Sequence, residues 1–351
     1  MADIQINVMM FGGRRCGKTS VLAFMQSCFE KVFDETNLTI SPENEELTPI
    51  LEKKRTEINK YFKNRNNRIT YFTSPDDNPS QGISEYKFKI GLRNKRTDNI
   101  IVNFIDYPGE WLTNENTKLT DIMKNSHVII VAIDSPYLME EPESYASEDN
   151  PGKYNERRNH CKKIGEWVKN HFAGESDLSA KMILFVPLKC EKYYHEGRMN
   201  ELNKKIKKAY ASTLNLFENN NRTYEVAIIP ILTFGGENEG VEFRYFDWDE
   251  KGKILEDEKN SKLPQKAVYR IPMEMKSPNP LHCEKTMVYV LAYILTMAAR
   301  QRQQGGILDG ARSIFGNFAS AEDFLNELNN IKQKMKKPYN GYEIVCNPLD
   351  F

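Results

Sequence analysis

The chain has 351 residues, of which 40% are hydrophobic and 28% are charged. This composition excludes a disordered or collagen-like chain and is typical of a globular protein, built as one large domain or two smaller ones. Lysine and arginine together number 49, as do aspartate and glutamate, so the formal net charge is zero. Without a basic excess we expect neither nucleic acid nor a membrane surface as a partner.

The six cysteines are scattered and show no metal-ligand spacing, which is typical of reduced thiols in a cytoplasmic protein. The N-terminus lacks the basic start and the long apolar run of a signal peptide. The most apolar helical segment, 286–299, is shorter than the roughly 20 residues that cross a bilayer. We therefore expect a cytoplasmic location and no membrane segment.

In the first part of the chain, residues 4–11 predict a buried strand that is followed by a glycine-rich segment and an amphipathic helix. Ser41-Pro42 predicts the start of a second helix, because serine suits the N-cap and proline the first helical position. Further predicted elements are a short strand at 69–73 and a hairpin formed by 86–92 and 100–105.

In the second part, near-continuous apolar runs predict buried parallel strands at 127–134, 181–188 and 224–232. A polar loop is expected over 136–151. Helical patterns cover 154–172, 197–217, 281–302 and 320–336, and short strands are expected within 241–248 and 267–273.

This alternation of strands and helices indicates an α/β fold with a mostly parallel sheet and one antiparallel hairpin strand. We expect residues 1–304 to form one domain. Within it, a helical insertion is predicted at about 41–64 and a β-hairpin insertion at about 237–274. Residues 305–351 are expected to form a C-terminal helix and tail.

The strongest motif runs from Gly12 to Thr19 and reads GGRRCGKT, which matches GxxxxGK[ST] at every fixed position. Glycines permit the tight turn, and backbone N–H groups at the helix N-terminus hold phosphate oxygens. A lysine at this position reaches the β- and γ-phosphates, and the threonine hydroxyl ligates Mg²⁺. The predicted phosphate-binding residues are Gly12, Gly13, Arg14, Arg15, Cys16, Gly17, Lys18, Thr19 and Ser20.

A second motif, Asp106-Tyr107-Pro108-Gly109, follows the second hairpin strand. A carboxylate at this strand end is suited to hold Mg²⁺, usually through water, and we predict that role for Asp106. The N–H of Gly109 can face the γ-phosphate. DxxG has only two fixed residues, so its value here comes from its place downstream of the first motif.

These motifs resemble those of a known family. FIDYPGEWL, at 104–112, is similar to the corresponding segment of the YcjX-like bacterial P-loop GTPases, and FGGRRCGKTS, VPLKCEKYYHEGR and PILTFGG resemble the double-GTPase families. The resemblance covers about residues 6–250. It implies a Ras-like fold of the translation-factor-related class, Mg²⁺ and GTP as cofactors, and a switch or slow hydrolase. It also implies protein partners encoded nearby, in bacterial conflict or defence systems.

Two positions depart from the family pattern. The residue after DxxG is Glu110 where small GTPases often have a glutamine that orients water. A carboxylate can accept a hydrogen bond from that water, act as a base, repel the γ-phosphate or pair with an arginine. The predicted catalytic residues are Lys18, Gly109 and Glu110.

The other departure is Leu188-Lys189-Cys190-Glu191, where GTPases normally have [NT]KxD. Lys189 is predicted to lie along the base and Glu191 to replace the aspartate that reads guanine. A surface turn is the alternative. Thr233 and Phe234, after the next buried strand, are predicted to contact the base through their backbone. Guanine is favoured over adenine, and another nucleoside triphosphate is the alternative.

A third Mg²⁺ ligand is expected between the first helix and the hairpin, and Thr73 is our choice among several hydroxyl residues there. Arg14 and Arg15 either neutralise phosphate charge or are solvated. The sequence leaves the oligomeric state open. Two other functions also stay open: a P-loop kinase with an arginine-bearing lid, for which 155–158 is a candidate, and a nucleotide-binding module that does not hydrolyse.

Overall fold

The computed structural model describes residues 4–34, 36–44, 47–63, 70–71, 82–93, 99–112, 116–140, 153–172, 181–218, 224–236, 240–245, 247–248, 254–255, 268–272, 274–304, 323–324, 326–327, 329–330 and 339–346. Its strands are β1 (Ile4–Phe11), β2 (Leu38–Pro42), β3 (Thr70–Tyr71), β4 (Ser84–Leu92), β5 (Ile100–Asp106), β6 (Val128–Asp134), β7 (Lys181–Leu188), β8 (Tyr224–Ile228), β9 (Glu242–Arg244), β10 (Asp247–Trp248), β11 (Ile254–Leu255), β12 (Val268–Arg270) and β13 (Glu343–Cys346). Its helices are α1 (Lys18–Phe33), α2 (Leu47–Lys63), α3 (Thr117–Lys124), α4 (Ser135–Met139), α5 (Lys153–Asn159), α6 (Cys161–Trp167), α7 (Glu191–His195), α8 (Met199–Ala209), α9 (Ala211–Glu218) and α10 (Cys283–Gln304).

The main sheet of the described residues has the order β13-β8-β7-β6-β1-β5-β4-β2. Strands β5, β1, β6, β7 and β8 are parallel to one another, whereas β4 is antiparallel to β5. The predicted α/β fold with a mixed, mostly parallel sheet is therefore confirmed. Two edge strands were not predicted: β2 is antiparallel to β4, and β13 is antiparallel to β8.

Helices cover both faces of this sheet, which explains why the central strands are apolar along their whole length. Every residue of β6 and of β7 is buried. On one face Phe88 lies between Phe29 and Phe104, with ring centroids 6.2 Å and 6.0 Å away. Among the described helices, none is both long enough and apolar enough to cross a membrane.

The predicted helix start at Ser41-Pro42 is wrong. Both residues belong to β2, where they pair with Lys89 and Phe88 of β4, and the helix of the predicted 41–64 insertion begins at Leu47. Here the hydrogen bonding with β4, a strand distant in sequence, outweighs the local preference of Ser41-Pro42 for a helix N-terminus. Because β2 is the edge strand, Pro42 costs the sheet no interior hydrogen bond.

Three predicted elements are divided differently in the structure. The start of the expected 136–151 loop is the buried helix α4. The expected helix over 154–172 is broken at His160, whose φ of 49° is left-handed, into α5 and α6, and it ends in a π-helical turn. The expected helix over 197–217 is divided into α8 and α9 at Tyr210.

The two later regions of the chain also contribute strands. Within the predicted 237–274 insertion, β12 pairs with β9 and, on its other side, with β3, so the insertion shares a small sheet with the region before the hairpin. From 305–351, β13 joins the main sheet and Phe324 is buried in the core. The predicted domain limits stay a prediction.

Truncation of Phe88 tests the packing of the hairpin on α1. We expect Phe88→Ala to lower the free energy of unfolding by about 3–5 kcal/mol, because a buried aromatic side chain is lost and a cavity remains. Urea denaturation measures the change. The matched control is Lys87→Ala, at the preceding residue of the same strand. It removes only the partly exposed ion pairs of Lys87 and should cost less than about 1 kcal/mol. Equal effects of the two substitutions would contradict this arrangement.

Candidate functional site

The segment between β1 and α1 forms a tight loop at the carboxyl edge of the parallel strands. Gly12 passes so close to β6 that a Cβ atom there would lie 2.8 Å from the backbone oxygen of Ala132. Gly17 has a φ of 113°, a backbone conformation that residues with a Cβ atom rarely adopt. The strand-loop-helix context that the motif requires is therefore present.

Lys18 is folded back over this loop and is almost fully buried. Its Nζ donates to the carbonyl oxygens of Gly12 and Gly13 at 2.9 Å and 3.3 Å. The same nitrogen lies 3.8 Å from Asp106 Oδ1. One positive charge thus sits between the loop and the end of β5.

Two further cationic side chains bond the next carbonyls of the loop. Arg158 Nη1 donates to the carbonyl oxygen of Arg14 at 2.9 Å, and Lys189 Nζ donates to that of Arg15 at 2.9 Å. Together with the Lys18 contacts, four consecutive carbonyls accept from positively charged groups. These bonds occupy the loop carbonyls, whereas an anion bound at the loop would require N–H donors.

Thr19 and Asp106 form a pair of oxygen ligands beside Lys18. Thr19 Oγ1 donates to Asp106 Oδ2 at 3.0 Å. Asp106 Oδ1 is buried and has no hydrogen-bond partner among the described residues. No cluster of three His, Cys, Asp or Glu side chains suited to a metal occurs in the described part of the chain. A hydroxyl and one carboxylate nevertheless fit Mg²⁺, which usually takes its other ligands from water and phosphate.

The DxxG segment packs directly on the loop. The hydroxyl of the buried Tyr107 accepts from the N–H of Gly12 at 3.4 Å. A Cβ at Gly109 would lie 2.3 Å from the backbone nitrogen of Arg14, so only glycine fits without a shift. Gly109 begins a 3₁₀ turn that ends at Leu112. The side chain of Glu110 in this turn lies outside the described part of the chain.

Helix α5 also packs on the loop, a contact that the sequence did not predict. The carbonyl oxygen of Arg158 is 2.4 Å from where a Cβ of Gly13 would sit. Asn159 fixes the end of this helix to β6, since its side chain accepts from the N–H of Asp134 at 2.8 Å and donates to the carbonyl of Asp134 at 3.1 Å. The sequence interpretation named 155–158 only as one candidate for a kinase lid.

Lys189 belongs to a buried polar cluster at the end of β7. Besides the loop carbonyl, its Nζ donates to Asp134 Oδ2 at 2.5 Å and to the Tyr245 hydroxyl at 2.6 Å. The Tyr245 hydroxyl also donates to Asp134 Oδ2. Burial lowers the pKa of Lys189, and the neighbouring Asp134 opposes that shift. Asp134 was not among the predicted site residues, although its place directly after an apolar strand, like that of Asp106, was a usable signal.

Glu191 is fully buried and faces the chain's own backbone. Its Oε1 accepts from the N–H of Phe234 at 3.0 Å. Gly240 of the insertion packs closely on Glu191, because a Cβ at Gly240 would lie 2.7 Å from the Cβ of Glu191. Burial raises the pKa of Glu191 to about 7, against the lowering effect of its backbone hydrogen bonds and of Lys189.

The structure thus brings Lys189, Glu191 and Phe234 together. Thr233, the residue before Phe234, is also buried. Their predicted contact with a base stays a prediction. The Phe234 ring packs against Phe62 of α2, with centroids 5.7 Å apart. The surface-turn alternative for Leu188-Lys189-Cys190-Glu191 does not fit, since all four residues of this segment are buried.

The remaining predicted residues are placed as follows. Cys16 is buried in the loop, Arg14 is exposed, Arg15 has a left-handed φ of 63°, and Ser20 is partly buried in the first turn of α1. Thr73 lies outside the described residues. The buried Leu188 lies against the loop, 3.3 Å from the position of a Cβ at Gly17.

Comparison with known proteins gives distant matches. No family model matches the chain, and no curated protein matches it. Two similar solved structures are the S. cerevisiae Ski7 GTPase-like domain bound to GDP and inorganic phosphate and the same domain bound to GTP, with 13% and 14% sequence identity and TM-scores of 0.34 and 0.35. Each match covers 65% of this chain and 43% of the other, so less than half of those structures is spanned.

The buried Glu191 predicts a pH effect on stability. Because its folded-state pKa of about 7 lies above the ordinary 4.5, the folded protein keeps a proton that the unfolded chain loses between these values. Glu191 should therefore lower the free energy of unfolding by up to about 3 kcal/mol as the pH rises from 4.5 to 7.

We expect Glu191→Gln to remove this decrease, so that the variant gains stability relative to wild type between pH 5 and pH 8. Urea denaturation across this range measures the difference, in which the contributions of other titrating groups cancel. Glu166→Gln, at an exposed position of α6, is the control. A constant difference between Glu191→Gln and wild type would contradict the prediction.

Proposed function

We propose that this protein binds a nucleoside triphosphate with Mg²⁺, most favourably GTP, hydrolyses it slowly and acts as a switch for a partner protein. The observation that carries the proposal is the assembly of Lys18, Thr19, Asp106 and Gly109 around one glycine-rich loop. These residues come from the start of α1, the end of β5 and the turn after β5. Their convergence is what binding of the β- and γ-phosphates and their metal requires.

Each residue has a separate part in this proposal. Backbone N–H groups of the loop and of the first turn of α1 hold the phosphate oxygens, and the Lys18 ammonium moves from the loop carbonyls to the phosphates. Thr19 and Asp106 hold Mg²⁺, which when bound neutralises charge on the phosphates. The N–H of Gly109 faces the γ-phosphate, so it distinguishes the triphosphate from the diphosphate. A hydrolytic role of Glu110 rests on its sequence position alone.

Base selection is proposed for the cluster around Lys189. Its alkyl chain is held at the loop by the hydrogen bond to Arg15 and can lie along a base. Glu191 would read guanine through its second oxygen, Oε2, which is buried and has no hydrogen-bond partner among the described residues. Because Gly240 covers Glu191, the insertion has to move before a base can reach that oxygen.

A switch role is supported by the contacts of the region before the hairpin. Through Phe62, α2 packs against Phe234, one of the proposed base-contacting residues. Through β3, the same region pairs with β12 of the insertion. Ile50 of α2 is 56% exposed, so this helix also offers an apolar residue to a partner. From the motif resemblance we expect that partner to be encoded nearby, in a bacterial conflict or defence system.

A phosphoryl-transferring kinase is the second candidate, favoured by the contact between Arg158 and the loop. Within the predicted lid segment 155–158, Arg158 bonds the loop carbonyl of Arg14, which supports a lid role for this arginine. Transfer of phosphate to an added small acceptor, with no release of free phosphate, would favour the kinase. Tight binding with no turnover, even when a partner is present, would favour a module that does not hydrolyse.

The first test is the affinity for GTP and ATP by calorimetry with Mg²⁺, with phosphate release followed in parallel. We expect Lys18→Ala to weaken GTP binding at least about tenfold, since a hydrogen bond to a charged group contributes about 1.5–3 kcal/mol. Lys208→Ala, at an exposed position of α8, is the control. Unchanged GTP binding by Lys18→Ala would contradict the proposal, and equal binding of ATP would remove the guanine assignment.

Gly109→Ala tests the γ-phosphate contact. The added methyl group must push the 3₁₀ turn away from the loop, because it would otherwise lie 2.3 Å from the Arg14 nitrogen. We expect the ratio of GTP to GDP affinity to fall about tenfold, the value of one hydrogen bond to a charged group. Gly82→Ala is the matched control, since a Cβ at Gly82 meets nothing within 4 Å. Equal losses of GTP and GDP binding in Gly109→Ala would place Gly109 outside γ-phosphate recognition.

A further inference from the structure

Arg158 is held at the phosphate site by the architecture of α5. The helix ends at Asn159, whose side chain bonds both backbone groups of Asp134, the last residue of β6. His160 follows in a left-handed conformation, so the chain turns sharply at this point. The position of Arg158 is therefore fixed relative to the central strands, next to the loop that lies beyond β1.

Its guanidinium is oriented by aromatic side chains. The group lies over the rings of Tyr137 and Tyr245, with centroid distances of 4.9 Å and 5.4 Å. Nη2 donates to the Tyr137 hydroxyl at 3.4 Å, and Tyr154 stacks on Tyr137 with ring centroids 4.3 Å apart. These aromatic contacts restrict the Arg158 side chain to few conformations. Further contacts of its guanidinium therefore cost less conformational entropy.

Arg158 and Gly109 both contact Arg14 of the loop. Arg158 Nη1 bonds the carbonyl oxygen of Arg14, while Gly109 packs on the nitrogen of Arg14. Gly109 is the residue that the proposed function places at the γ-phosphate. The guanidinium therefore lies at the γ-phosphate end of the loop, whereas Lys189 bonds the following residue, Arg15, beside the base cluster.

We propose that Arg158 is an arginine supplied by the chain itself to the phosphate site, where it stabilises the charge that develops during hydrolysis. This inference rests on the proposed function. In the step concerned, the oxygen of water bonds to the γ-phosphorus and the bond to the bridging oxygen breaks. The electron pair of that bond stays on the diphosphate, and the proton of the water passes to phosphate or solvent. Arg158 donates N–H groups to the γ-phosphoryl or bridging oxygens as their charge grows.

A structural role for Arg158 predicts a different result. If the guanidinium only braces the loop through the Arg14 carbonyl, its loss should weaken every nucleotide complex by the same factor. A group that acts on developing charge should affect turnover and the binding of a transition-state mimic, and leave the diphosphate complex almost unchanged. The two roles are therefore separable by measurement.

The experiment compares wild type, Arg158→Ala and Arg158→Lys in the full-length chain with Mg²⁺. It measures single-turnover GTP hydrolysis, the Kd of GDP and the Kd of GDP with aluminium fluoride. We expect Arg158→Ala to slow hydrolysis about 1,000-fold or more, from the lower end of the range of known catalytic arginines upward, and to abolish the gain in affinity from aluminium fluoride. GDP binding should change less than about threefold, which corresponds to well under one charged hydrogen bond.

Arg158→Lys should recover only part of the rate, because a lysine keeps the charge and loses the fork of N–H donors. The control is Arg157→Ala, the exposed neighbour on the same helix, which should hydrolyse GTP at the wild-type rate. Equal losses in all three measurements for Arg158→Ala, or no loss of turnover, would overturn the inference. If wild type itself neither binds nor hydrolyses GTP or ATP, it is the proposed function that fails.

Discussion

The whole site depends on how the chain bonds the carbonyl oxygens of the glycine-rich loop. Gly12 and Gly13 accept from Lys18, Arg14 from Arg158 and Arg15 from Lys189. These bonds occupy the carbonyl oxygens of the loop, and an anion bound there would take its hydrogen bonds from N–H groups. The donors come from α1, α5 and the end of β7, so elements that are far apart in sequence hold one short segment.

The parallel sheet makes this convergence possible. Because β5, β1, β6 and β7 are parallel neighbours, their carboxyl ends meet at one edge. Strands β5 and β6 end in the aspartates of the site, β1 leads into the glycine-rich loop, and Lys189 directly follows β7. Asp106 reaches Thr19, and Asp134 reaches Lys189. The arrangement follows the general rule that ligands of open α/β sheets bind beyond the carboxyl ends of the strands, where the chain order reverses.

The part of the site around Glu191 is more closed than the part around the glycine-rich loop. Glu191 is covered by the insertion, and Tyr245 of the same insertion bonds Lys189 and Asp134. The loop end also contacts the insertion, because Tyr245 bonds Lys189 and lies against the Arg158 guanidinium, and both of these cations bond loop carbonyls. Under the proposed function, access to Glu191 would depend on the position of residues 240–245.

The sequence by itself determined the parts of this protein that depend on local pattern. The GGRRCGKT loop, the strand before it and the helix after it follow from glycine freedom and apolar periodicity, and the buried strands β6 and β7 follow from continuous apolar runs. These signals lie within a few residues of the feature that they specify. The hairpin β4–β5 and the place of Asp106 at its end were predictable for the same reason.

Only the tertiary structure decided what depends on pairing between distant segments. Ser41-Pro42 carries a good local signal for a helix start, yet hydrogen bonding with β4 makes it an edge strand, and β13 becomes a strand only because β8 leaves an edge to pair with. Likewise, no local pattern distinguishes Arg158 from Arg157 or shows that Glu191 faces the backbone of Phe234. Those outcomes are set by which surfaces meet when the helices pack on the sheet. The free energy of this packing depends on residues from several segments, so no single stretch of the chain encodes it.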